Sequence, residues 1–136
     1  RDYIRNACRG KCDYKMARKF FSGPVYKLIH RTIIGTRRFN LHFKNGEDSL
    51  FMFLISDKFK NVDFTNKEAI YYRRYRQNSA TTSHRGLWLY IKNQLRMMML
   101  YTRVFFNAPL RYNFNFYVTR LLGAVHSILL QLRINS

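Results

Sequence analysis

The chain has 136 residues, enough for one domain with a modest core and too few for two independent ones. Hydrophobic residues make up 47% of it, which excludes a wholly disordered polar chain. The formal net charge of +18, from 25 Lys and Arg against 7 Asp and Glu, is more self-repulsion than a small compact domain carries without an anionic partner.

In chain order, residues 2 to 21 place Ile4, Cys8, Cys12, Met16 and Phe20 four apart, which predicts a helix that Ser22-Gly23-Pro24 breaks. Charges run through this segment and it has no apolar h-region, so no cleavable signal peptide is expected. Cys8 and Cys12 share a helix face, with Cβ atoms too far apart for an unstrained disulfide. A zinc site drawing on His30, His42 or His84 would need a second matched pair of ligands, and the sequence offers none, so two buried thiols are expected and no metal or other cofactor.

From Val25 the pattern changes towards strand. In "RFNLHFKNGEDSLFMFLI", Phe39, Leu41 and Phe43 alternate with Asn40 and His42, Asn45-Gly46 supplies two positive-φ positions, and residues 50 to 55 return. This predicts a β-hairpin in which Lys44 faces Glu47 and Leu41 faces Leu50, with Glu47 and Asp48 as turn residues. The return strand is apolar on both faces and needs a covering helix.

Thr65 and Glu68 fit a capping box for a short helix over about 66 to 77, and "NSATTS" reads as a linker. A long helix then starts at Ser83 or His84 and runs to about Phe106, stopped by Asn107-Ala108-Pro109. A last helix is expected over about 113 to 133, with Leu121, Leu122, Val125, Ile128, Leu129 and Leu132 on one face. The expected fold class is therefore α+β: a small antiparallel sheet centred on the hairpin, covered by helices, with a C-terminal two-helix hairpin. Residues 1–68 form the helix and β-hairpin and 69–136 the basic helical half of a single domain.

Charge distribution carries the functional reading. Residues 1–68 hold all seven acids and 15 basic groups, whereas 69–136 hold ten basic groups and no acid, so nothing in the second half can neutralise it. At about 100° per residue, Arg85, Lys92, Arg96 and Arg103 fall within about 20° of one line along the long helix, with Leu87, Ile91, Met98 and Phe105 on the far side. Solvated helix faces normally mix signs for i,i+4 pairs, so an acid-free row points to an anion. Just before it, Tyr71, Tyr72 and Tyr75 interleave with Arg73, Arg74 and Arg76. Guanidinium forks grip phosphate and stack on bases, and tyrosine rings stack on unpaired bases, a combination suited to folded RNA. Arg111, between the two C-terminal helices, completes the candidate RNA-binding set.

Catalysis finds little support: Asp57 and Asp63 lack a third acid or a neighbouring His, and no phosphate-binding glycine loop or nucleophile elbow occurs. The segment "LWLYIKNQLRMMMLYTRVFF" is apolar, but Lys92, Arg96 and Arg103 would each cost about 2.5 kcal/mol or more near a bilayer centre. It can lie in the plane of an anionic membrane instead.

Phe, Tyr, Met, Ile, Asn and Lys account for 56 residues, the bias of an AT-rich genome. In this basic, aromatic-rich composition the chain resembles mitochondrially encoded ribosomal proteins of protists. The resemblance implies a structural, non-enzymatic rRNA-binding protein of the mitochondrial matrix, with ribosomal RNA and neighbouring ribosomal proteins as partners and no small-molecule substrate. The alternative is a peripheral accessory subunit of a mitochondrial inner-membrane complex that binds anionic lipid and partner subunits.

Overall fold

The computed structural model describes residues 18–25, 27–43, 46–60, 62, 70, 72 and 86–135. Among them the secondary structure is helical, with no strand: a single turn α1 (Arg31–Ile34), α2 (Glu47–Ile55), and two long helices α3 (Leu87–Asn107) and α4 (Phe114–Asn135). Tight 3-10 turns occupy Arg18–Ser22 and Ser56–Lys58. The helix expected over 2 to 21 is described only at its end, which is the first of these turns. The rest of it, with Cys8 and Cys12, lies outside the described residues, as do the capping box at Thr65 and Glu68 and most of the helix expected over 66 to 77.

The α+β expectation is overturned at the β-hairpin. Its return strand is the helix α2, and its outgoing strand is a turn in which the Asn40 Oδ1 accepts from the His42 N–H at 3.0 Å. Leu41, expected to face Leu50 in the core, is 92% exposed. Gly46 does take a positive φ of 88°, but as the N-cap of α2 and not as half of a β-turn. Glu47 and Asp48 occupy the first turn of the helix, where carboxylates are favoured by the N-terminal end of the helix dipole. The physical reason for the difference is that Leu50, Phe51, Met52, Phe53 and Ile55 are all buried. A short run that is apolar all round fits a buried helix as well as a buried strand, and periodicity does not separate them.

α3 and α4 form the expected C-terminal helical hairpin. The stop at Pro109 and the start at Asn113 act as anticipated, the Asn113 Oδ1 accepting from the Phe116 N–H at 3.0 Å. The helices run antiparallel, with the hydroxyls of Tyr90 and Ser127 paired near one end and those of Thr102 and Tyr117 paired at 3.0 Å nearer the turn.

α2 lies across this pair. Phe53, fully buried, is the hub: its ring lies 5.2 Å from Tyr112, 5.3 Å from Tyr101 and 5.6 Å from Phe116. Polar pins fix the docking angle. Tyr101 donates to Ser49 at 2.8 Å, Tyr112 donates to the Leu54 carbonyl at 3.1 Å, and Arg120 donates to Ser49 at 3.2 Å. Phe21 closes the end of the core against Phe59 and Phe116.

Candidate nucleic-acid interface

α3 carries the basic row because its 21 residues hold one register over about 30 Å. The side buried against α2 and α4 consists of Met97, Tyr101 and Phe105, so the core direction lies nearer Met97 than the sequence wheel suggested; Leu87, Ile91 and Met98 are half-buried. Lys92, Arg96 and Arg103 are exposed on the opposite side. Lys92 and Arg103 have no hydrogen-bond or ion-pair partner among the described residues. The Arg96 guanidinium itself stands 5.1 Å from the centroid of the buried Phe43 ring, a cation–π approach made by a residue that stays exposed.

Of the candidate RNA-binding set, the structure brings these three together on one helix. Arg111 is exposed at the turn between α3 and α4, and Tyr72 is exposed. Tyr71, Arg73, Arg74, Tyr75, Arg76 and Arg85 lie outside the described residues. Arg120 points inward instead, its guanidinium 4.6 Å from the Phe116 ring and bonded to Ser49.

The described acids, Glu47, Asp48 and Asp57, sit at the two ends of α2. Arg37 and Asp57 form a bidentate ion pair, both bonds 2.6 Å long, so Asp57 is a structural partner and not half of a metal-binding pair. Asp63 lies outside the described residues, which contain no cluster of three potential metal ligands. Burial, assisted by the neighbouring Glu47 carboxylate, pushes the Asp48 carboxyl up. Burial also pushes the Tyr101 and Tyr112 phenols up, so both hold their protons as core hydrogen-bond donors.

Sequence reasoning missed a second stripe on α3. Trp88, Leu95, Met99 and Phe106 are exposed, and they lie about 60° round the helix from the basic row. On α4, Leu122, Val125, Leu129 and Leu132 are likewise exposed, although the sequence pattern grouped them with Leu121 and Ile128 as one apolar face. The available signal was that each helix has more apolar positions than one buried face can hold. No family model, curated protein or solved structure matches the chain.

Proposed function

We propose that this chain is a structural RNA-binding protein, most concretely a component of a mitochondrial ribosome, that holds folded rRNA through its acid-free C-terminal half. The observation that carries the reading is the row Lys92, Arg96 and Arg103: three exposed cations on one rigid helix, two of them without a partner among the described residues, on a helical hairpin that contains no acid to neutralise them. Successive phosphates of one RNA strand offer that row a ladder of anions, and displaced counterions supply much of the affinity. Arg111 adds an exposed cation at the hairpin turn, and Tyr72 offers an exposed ring for stacking. Specificity on this reading comes from RNA shape and splayed bases.

The test is what accompanies the native protein through purification under mild salt. Nuclease-sensitive absorbance and sedimentation with a ribosomal subunit are the expected results. A particle free of RNA that sediments with a membrane complex would replace this reading with that of a peripheral inner-membrane subunit.

A further inference from the structure

The apolar stripes of α3 and α4 are unused by an RNA-binding role, and their placement relative to each other is fixed by the packing. On α3, Met97 and Tyr101 face α2, Phe105 and Thr102 come next and meet α4, and Trp88, Leu95, Met99 and Phe106 follow in the same rotational sense. On α4, Phe116 and Arg120 face α2, Tyr117 comes next and meets α3, and Leu132, Val125, Leu129 and Leu122 follow. Because the helices are antiparallel, both stripes fall on the side of the hairpin turned away from α2. The result is one two-helix apolar face about 30 Å long. Trp88 stands towards one end, 81% exposed, and Phe106 and Phe114 stand by the hairpin turn at the other.

Charge decides what this face fits. Lys92, Arg96 and Arg103 rim its α3 edge, where Trp88, Leu89, Leu95 and Met99 line a shallow groove together with Lys92 and Arg96. Arg133 and His126 stand on the α4 side, and neither helix contains an acid. A second copy of the chain would bring like charge to like charge across an apolar seam. A surface apolar within and anionic at its boundary matches both features: aliphatic side chains enter the acyl region while lysine and arginine reach headgroup phosphate. No helix among the described residues is long and apolar enough to cross a membrane, which leaves this pair in the plane of one.

We infer that the outer face of the α3–α4 hairpin seats on an anionic lipid surface, with Trp88 and the Leu122–Leu129 side buried in the interface and the basic row on the headgroups. The inference shares the basic row with the RNA reading and adds the apolar stripes, which that reading leaves unused.

Trp88 is the single tryptophan, so its emission reports this face directly. The experiment mixes the full chain with phosphatidylcholine vesicles, with and without a minority of cardiolipin, and follows co-sedimentation, Trp88 emission and quenching by brominated acyl chains. The expected result is a blue shift and bromolipid quenching with the anionic vesicles, and little with neutral ones. Leu122→Gln combined with Leu129→Gln changes two exposed positions, so the fold survives; vesicle affinity should fall about tenfold or more while RNA affinity stays unchanged. Four results would each overturn the inference: unaltered emission with anionic vesicles, equal binding to neutral ones, a double variant that binds vesicles like the parent, or a concentration-dependent dimer that the double variant abolishes. The last of these would assign the face to a second copy.

Discussion

Arg37 and Asp57 grip each other through two parallel 2.6 Å bonds, and by doing so tie the chain leaving α1 to the turn that ends α2. The Lys58 ammonium adds a second tie to the Thr32 carbonyl at 3.2 Å. The Asp57 side chain is 6% exposed and that of Arg37 21%, so the pair is worth more than a surface bridge, and breaking it strands charge in a partly dry site. Asp57→Asn should cost about 1–3 kcal/mol, read as a lowered urea midpoint at unchanged slope. An unchanged midpoint would show that the pair contributes nothing.

The helical assignment of residues 47–55 has a sharp consequence at two positions. Phe53→Ala removes the ring that meets Tyr101, Tyr112 and Phe116 and should cost about 3–5 kcal/mol. Leu41→Ala should stay within about 0.5 kcal/mol, because the side chain is already in water. A β-hairpin would make both changes costly, so comparable losses in chemical denaturation would argue for it.

Gly46 is the backbone hinge into α2. A Cβ there would stand 3.2 Å from the Met97 Cε, and the φ of 88° disfavours any L side chain. The methionine end can yield, but the backbone strain remains, so Gly46→Ala should destabilise by about 1–2 kcal/mol. A variant as stable as the parent in thermal melts would place the hinge elsewhere.

These positions also show what the sequence could convey. The long helices were legible because their periodicity persists for more than twenty residues and Asn113 and Pro109 punctuate them. α2 was not, because the six consecutive apolar residues from Leu50 to Ile55 carry no period, and Asn45-Gly46 followed by Glu47-Asp48 reads equally as a tight turn or a helix start. The basic row needed only angular arithmetic and the absence of acids. The outward apolar stripes needed knowledge of which face each helix buries. On α4 that choice went to Phe116, Tyr117 and Ala124 rather than to the leucines. The Arg37–Asp57 pair, twenty residues apart without regular spacing, left no pattern to read.

Tyr101 makes stability pH-dependent at the alkaline end. Burial holds its phenol above the ordinary value of 10.0 in the fold, more than the Ser49 bond and the Arg120 charge lower it. A group raised in this way contributes fully below the unfolded value and loses that contribution as pH rises through the folded one. Tyr101→Phe should therefore be about 1 kcal/mol less stable than the parent at neutral pH, having lost the Ser49 bond, and the gap should close above about pH 10. Thermal melts from pH 7 to 11 supply the comparison. A gap that stays constant across that range would remove Tyr101 from the alkaline transition.

The central claim is that Lys92, Arg96 and Arg103 follow a phosphate backbone, and the salt dependence of RNA binding tests it most directly. Gln at all three keeps helix propensity close to that of Lys and Arg and leaves the buried face untouched. Arg96 gives up its approach to Phe43, worth about 0.5–1 kcal/mol of stability, which a parallel denaturation curve measures. For looped RNA, the plot of log affinity against log salt should become shallower by about 0.7 per lost contact, about two in all. A triple variant that stays folded and binds RNA with the parent's affinity and slope would contradict the account and reduce the row to a solvated helix face.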